Sequence, residues 1–77
     1  MPSDKFTLDE FKELIVEMCE FFQGNCSEET GTYTCYFRCR DMINMFSMGI
    51  KTHAIRNKRL NILIDVDIKD LKVIIVT

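Results

Sequence analysis

The chain lacks most of the residues and patterns on which catalytic and membrane signatures depend. It contains a single histidine, His53, and three scattered glycines, so it has neither a histidine-based catalytic set nor a glycine-rich phosphate loop. No apolar run approaches the ~18 residues that span a bilayer, and the first ten residues do not form a secretion signal. We therefore expect a cytoplasmic, non-enzymatic protein without a membrane segment, a cofactor or a metal ion.

The chain is also short, which limits its core. Its 77 residues lie below the ~100–200 of a typical domain and predict one domain over residues 1–77. The content of 47% apolar and 29% charged residues is that of a folded protein. Because cores of this size often need a second subunit for support, we expect a homo-oligomer, most simply a dimer.

The first predicted element is a helix over residues 8–23. Thr7 and Glu10 have the spacing of a capping box, and Phe6 and Phe11 that of a hydrophobic staple. Gly24 is positioned to end the helix. The apolar residues recur at three- and four-residue steps, which predicts a stripe facing the core: Phe11, Leu14, Ile15, Met18 and Phe22.

The middle of the chain has a mixed pattern. Residues 25–32 are rich in turn formers and predict a loop. Residues 33–40 fit both a strand and a helix, because their apolar side chains recur at steps of two and also of three and four. We favour a strand over 32–38, followed by a helix over 40–48 that Gly49 ends.

The last 28 residues predict β structure. Residues 50–56 form a weak strand candidate, whereas 59–66 and 71–77 alternate strongly or are rich in β-branched residues. The short links exclude parallel crossovers, so these strands form an antiparallel meander. The predicted fold class is α+β, with an antiparallel three- to four-stranded sheet packed with two helices.

One apolar patch is left without a cover in this register. Leu63, Ile74 and Val76 point away from the face that the helices cover. Either the second helix or another chain covers them. We interpret them as an oligomer interface, while a central strand buried between flanking helices is the alternative.

The cysteines allow two interpretations. Without signs of export we expect free thiols that behave as small apolar groups. The alternative is a metal or redox site on Cys35 and Cys39, which are four residues apart, completed by Cys19, Cys26 or His53. Only one close pair occurs, which is a weak signal for a structural zinc site.

Charge is distributed unevenly along the chain. The first 30 residues carry eight acidic and two basic side chains, and the remaining 47 carry four acidic and eight basic ones. Four carboxylates fall along one side of the first helix at steps of three, four and three residues: Glu10, Glu13, Glu17 and Glu20. At ~1.5 Å rise per residue the axial steps are about 4.5–6 Å, which resembles the phosphate spacing of a nucleic-acid backbone.

A basic cluster lies further along the chain, around a hairpin predicted over residues 50–60. It could hold nucleic acid by its phosphates, and its members are Lys51, Arg56, Lys58 and Arg59. The overall acidity and the lack of interleaved aromatic residues make nucleic acid a weaker partner than protein.

Together these patterns favour binding over catalysis. We predict a small non-enzymatic protein-binding module, acting as an inhibitor, adaptor or regulatory subunit, whose acidic helix mimics a nucleic-acid backbone. A nucleic-acid binder with a basic hairpin and a small cysteine-based metal or redox protein are the alternatives.

Overall fold

The chain forms two successive units, each a helix followed by a β-hairpin. The computed structural model describes residues 6–77, which contain, in order, α1 (Leu8–Phe21), β1 (Asn25–Glu29), β2 (Thr32–Tyr36), α2 (Arg40–Arg56), a short 3-10 helix (Lys58–Leu60), β3 (Leu63–Asp67) and β4 (Lys72–Val76). The strands form one antiparallel sheet in the order β1-β2-β4-β3. This confirms the predicted α+β class, with two helices and a four-stranded antiparallel sheet.

Helix α1 begins as its sequence signals predict. The Thr7 hydroxyl accepts a hydrogen bond from the Glu10 N–H at 3.1 Å, and the Glu10 carboxylate accepts one from the Thr7 N–H at 2.8 Å. The Phe6 ring meets the Phe11 ring edge to face at a centroid distance of 6.2 Å, which completes the staple. The capping box and the staple are both confirmed.

The end of α1 lies two residues earlier than predicted. Gln23 adopts a left-handed conformation, with φ of 59°. The Gln23 N–H donates to the Glu20 carbonyl at 3.0 Å and the Gly24 N–H to the Cys19 carbonyl at 2.7 Å, which is the hydrogen-bond pair of a Schellman motif. The helix therefore ends at Phe21, and the chain turns back toward Cys19.

The loop predicted over residues 25–32 is wrong, because residues 25–29 form β1. This strand is made of polar and charged residues, and it is held by antiparallel pairing with β2 rather than by β propensity. Its two-residue turn has positive φ at Thr30 (47°) and Gly31 (86°), as a type I′ hairpin requires.

The predicted end of the second helix at Gly49 is also wrong, as is the strand over 50–56. Helix α2 continues to Arg56 because Ile50 and Ala54 extend its core-facing stripe past the glycine. At Gly49 the helix passes close to Met18, so the absent side chain leaves room for the neighbouring helix.

The two C-terminal strands are confirmed, whereas the three-stranded meander is wrong. β3 ends one residue beyond its predicted range, and β4 lies inside its own. β4 pairs with both β3 and β2, so it lies in the middle of the sheet. Val73 and Ile75 of β4 are fully buried beneath the helices. Within residues 6–77, no helix is both long and apolar enough to cross a membrane.

The two units resemble each other in sequence as well as in topology. In α1 an isoleucine follows four residues after Phe11, and in α2 one follows four residues after Phe46. All four side chains are fully buried, at Phe11, Ile15, Phe46 and Ile50. Strands β2 and β4 also share one burial pattern, position by position. The fold is thus an internal repeat with approximate two-fold symmetry between β2 and β4.

Candidate functional site

Three cysteines from three different elements meet beneath α1. The Sγ atoms of Cys19 in α1, Cys26 in β1 and Cys35 in β2 all lie within 4.8 Å of one another. Cys19 and Cys35 are buried, and Cys26 is partly exposed. We call this group the cysteine cluster.

Local backbone geometry brings the cluster together. The Schellman turn reverses the chain after α1, so that Cys26 returns to Cys19 only seven residues later. Cys26 and Cys35 are direct partners across the β1–β2 ladder, and both side chains therefore point to the helix-covered face. Gly24 permits the turn, because a Cβ atom there would lie 2.5 Å from the Phe37 ring.

Cys26 is the central member of the cluster. Its Sγ atom is at bonding distance from the Sγ atoms of both Cys19 and Cys35. A sulfur atom holds one disulfide at a time, so these two contacts cannot both be disulfides. The Cα separations are 6.6 Å for Cys19–Cys26 and 4.0 Å for Cys26–Cys35, and the second is shorter than the ~4.4–6.8 Å usual for a disulfide.

The cluster bears on two predictions about the cysteines. The prediction of free thiols stays a prediction for Cys19, Cys26 and Cys35, whereas Cys39 lies outside the cluster and is exposed rather than packed as a small apolar group. The pair of Cys35 and Cys39 is wrong as a site. Cys39 is the N-cap residue of α2 and takes no part in the cluster, because the chain leaves the sheet after β2.

A cleft of about 270 Å³ opens beside the cluster. Cys19 and Cys26 lie in its wall, and so do the carboxylate side chains of Glu20 and Glu28, while the lining contains no lysine or arginine. The Glu28 carboxylate also accepts a hydrogen bond from the Gly31 N–H at 2.8 Å. The wall of the cleft is therefore sulfur-rich and negatively charged.

Tyr33 forms another part of the same wall. Burial raises the pKa of Tyr33 above its ordinary value of 10.0, and the Glu28 carboxylate, its partner across the ladder, raises the pKa further. The phenol therefore remains neutral at physiological pH, and the cleft gains no charge from it.

The second unit of the fold has an apolar counterpart of the cluster. Cys26 and Ile64 are each the second residue of a first hairpin strand, and Cys35 and Ile75 are each the fourth of a second one. Ile64 and Ile75 are direct ladder partners, just as the two cysteines are. Ala54 follows Phe46 by eight residues, as Cys19 follows Phe11. The fold therefore packs these three positions without sulfur in its second half.

The predicted acidic row lies on the exposed side of α1. All four of its carboxylate side chains are exposed to solvent: Glu10, Glu13, Glu17 and Glu20. Val16 is exposed between Glu13 and Glu17. Glu20 ends the row at the cleft, so the acidic row and the cysteine cluster adjoin each other.

The predicted apolar patch lies on the sheet face opposite the helices. Leu63 and Val76 are ladder partners, exposed by 65% and 41%, and Ile74 lies two residues from Val76 and is half-buried. The helices pack on the other face, where Val73 and Ile75 are buried. The structure thus brings these three residues together and leaves them uncovered by any element of residues 6–77.

The predicted basic hairpin is wrong, because helix α2 and the 3-10 helix occupy its residues. The four basic side chains are nevertheless all exposed: Lys51, Arg56, Lys58 and Arg59. The Arg59 guanidinium donates hydrogen bonds to Asn57 Oδ1 and to the Phe6 carbonyl, which links the 3-10 helix to the start of α1. His53 is half-buried, and its ring stacks on the Phe6 ring at a centroid distance of 5.5 Å.

Sequence reasoning missed a second exposed apolar surface. Met45, Met48 and Ile55 are each more than half exposed on the outer side of α2. Their spacing of three and seven residues is helical, but the strand predicted over 50–56 concealed it. We call these three residues the methionine stripe.

Comparison of the chain with protein families, curated proteins and solved structures gives no match.

Proposed function

We propose that this chain is a small non-enzymatic protein-binding module that acts in the cytoplasm as an inhibitor, adaptor or regulatory subunit. The observation that carries the proposal is the acidic row, since four carboxylates remain exposed along one side of a well-capped helix. A rigid row of charge costs little entropy on binding, because the helix fixes the backbone before the partner arrives.

The chemistry of the row determines the kind of partner. The four carboxylates form a regular row of negative charge with axial steps of about 4.5–6 Å, from a ~1.5 Å rise per residue, which is somewhat wider than the ~3.4 Å of axis per phosphate along one DNA strand. A basic groove on a protein would therefore accept α1 in place of nucleic acid. The exposed side chain of Val16, between Glu13 and Glu17, adds an apolar contact that a phosphate backbone does not offer.

Self-association through the apolar sheet patch is a second part of the proposal. Leu63, Ile74 and Val76 lie on a sheet face that no described element covers. Two copies that pack these faces together would remove the apolar side chains from water. A dimer of this kind would leave α1 of each copy free and would present two acidic rows to the partner.

A charge-reversal experiment tests the role of the acidic row. The Glu17→Lys variant and the Asp70→Lys variant change the net charge equally, and both side chains are exposed. We expect the first variant to lose partners captured from host-cell lysate and the second to retain them, with the Tm of both nearly unchanged. Equal capture by the two variants would contradict the proposal.

Sedimentation equilibrium tests the dimer separately. We expect the native chain to sediment as a dimer and the Leu63→Ser/Val76→Thr variant as a monomer. The Met48→Ser change on the methionine stripe is the control and should leave the dimer intact. A monomeric native chain, or a dimer that only Met48→Ser dissociates, would remove the sheet patch from the proposal.

A further inference from the structure

We propose that the cysteine cluster is a binding site for a thiophilic metal cation, with Zn²⁺ held by the thiolates of Cys19, Cys26 and Cys35. None of these three ligands belongs to the acidic row. A result that contradicts the metal site therefore leaves the proposed function untouched, and the reverse is also true.

The arrangement of the sulfur atoms is the first argument. Around one zinc ion with Zn–S bonds of ~2.3 Å, tetrahedral geometry places sulfur atoms about 3.8 Å apart. The three Sγ atoms converge on one point, all within 4.8 Å of one another and with Cys26 Sγ at bonding distance from the other two, so they reach that spacing by moving apart around an ion. A disulfide would use two of these sulfurs and leave the third unused, whereas a metal ion uses all three.

The cleft supplies the second argument. The carboxylates of Glu20 and Glu28 beside the sulfur atoms attract a cation, and the cleft lining contains no lysine or arginine that would take the place of a metal ion. Because the cleft adjoins Cys26, a water molecule can reach the fourth coordination position. A site with three protein ligands and one open position is typical of zinc that can exchange a ligand.

The internal repeat supplies the third argument. The second unit packs Ala54, Ile64 and Ile75 at the equivalent positions, so the fold does not require sulfur there. Cysteine at all three positions of the first unit, and at none of the second, points to a purpose other than packing. Soft thiolate ligands without imidazole select zinc or Cu⁺ over magnesium and calcium.

Binding proceeds by proton exchange and needs no oxidant. Zinc binds the three sulfurs as thiolates, and each thiol releases its proton to the buffer as its Zn–S bond forms. A thiol with an ordinary pKa of ~8.5 is mostly protonated at pH 7, so about three protons leave for each ion bound. Water occupies the fourth position.

Titration of the reduced full-length chain with Zn²⁺ tests the site. Calorimetry in two buffers of different ionisation enthalpy gives the number of protons released, and Co²⁺ used as a second probe gives a thiolate-to-metal charge-transfer absorption. We expect one ion per chain, about three protons per ion at pH 7 and the thiolate absorption band. Absence of binding, or binding without thiol proton release and without the band, would overturn the proposal.

Variants assign the ligands. Cys26→Val should weaken Zn²⁺ binding by about 100-fold or more, beyond the ~10–100-fold that loss of an outer-shell partner costs. Cys39→Ser is the matched control and should bind as the native chain does. Unchanged binding by Cys26→Val would overturn the assignment.

A triple variant separates ligation from packing. Cys19→Ala/Cys26→Ile/Cys35→Ile copies the side chains of the second unit, and we expect it to fold and to bind no zinc. A folded triple variant that still binds would contradict the proposal. If the variant does not fold, the proton count and the Co²⁺ spectrum of the native chain test the metal site. A native chain that forms a disulfide and takes up no ion would overturn the proposal.

Discussion

Cys26 and Cys35 lie directly opposite each other in the β1–β2 ladder, with their Cα atoms 4.0 Å apart. The corresponding pair in the second unit is Ile64 and Ile75. Two similar halves of one small fold thus differ at the same place, with sulfur in one and aliphatic side chains in the other. Because the fold packs aliphatic side chains at these positions in its second half, substitutions of the cysteines in the first half can separate a binding role from packing.

Zinc should stabilise the folded chain if the cluster binds it. A ligand at 100 times its Kd stabilises the folded state by about 2.7 kcal/mol, which in a domain of this size raises the Tm by roughly 10–20 °C. Thermal unfolding of the reduced chain, with Zn²⁺ and with a chelator, measures the shift. Cys39→Ser should show the same shift, and a similar shift in Cys26→Val would place the ion elsewhere.

The turn between β1 and β2 carries a residue that its geometry disfavours. Thr30 has a φ of 47°, a left-handed conformation that costs a β-branched residue of the order of 1 kcal/mol and that asparagine tolerates better. We expect Thr30→Asn to raise the free energy of unfolding by about 1 kcal/mol. Urea denaturation measures the change.

Thr52→Asn is the control for that prediction, because Thr52 is exposed in the middle of α2 and both residues have similar helix propensity. Its free energy of unfolding should change by less than about 0.5 kcal/mol. Destabilisation by Thr30→Asn would show that the hairpin turn differs from the one described.

Two glycines should respond in opposite ways to alanine. At Gly24 the added Cβ would lie 2.5 Å from Phe37, whose ring packs on Phe46 at a centroid distance of 4.8 Å and has little room to move. We expect Gly24→Ala to destabilise the fold by about 1–3 kcal/mol, as overpacking does.

At Gly49 the contact is with the terminal methyl group of Met18, a flexible side chain. Alanine also gains about 0.5–1 kcal/mol over glycine inside a helix, so Gly49→Ala should be neutral or stabilising. Chemical denaturation of both variants gives the two signs. Equal destabilisation would show that α1 and α2 pack too tightly at Gly49 for Met18 to move.

Tyr33 should ionise late in an alkaline titration. Its pKa is raised in the folded state, first by burial and then by Glu28, so its contribution to stability is present below pH 10 and is lost as the pH rises through the raised pKa. In a Tyr36→Phe variant, the phenolate absorbance of Tyr33 alone should have a higher midpoint when folded than in denaturant. Identical midpoints would contradict the burial of the phenol.

The sequence predicted the elements whose local signals agree. At α1 the capping box, the staple and the apolar stripe gave one answer, and the structure has the helix within two residues of the predicted end. The exposed positions of the acidic row, and the placement of Leu63, Ile74 and Val76 on the sheet face away from the helices, followed from the same periodicities. Their functional roles remain proposals.

Predictions failed where long-range contacts override local preference. β1 is a strand only because β2 pairs with it, and its residues have little β propensity of their own. Gly49 does not end α2, because tertiary packing holds the helix beyond it. The cysteine cluster joins three elements, so the sequence spacing gave only a weak metal-site signal and pointed to Cys39, which takes no part in the cluster. The repeat of phenylalanine and isoleucine in α1 and α2 was the signal that could have revealed that the second helix continues past Gly49.

The central claim is that α1 is the surface that a protein partner contacts, and zero-length crosslinking tests it most directly. A carbodiimide joins a carboxylate to a lysine in contact with it, and mass spectrometry of the captured complex identifies the residues joined. We predict crosslinks from Glu10, Glu13, Glu17 or Glu20 to basic residues of the partner. Crosslinks confined to other carboxylates, such as Asp65 and Asp70, would contradict the account.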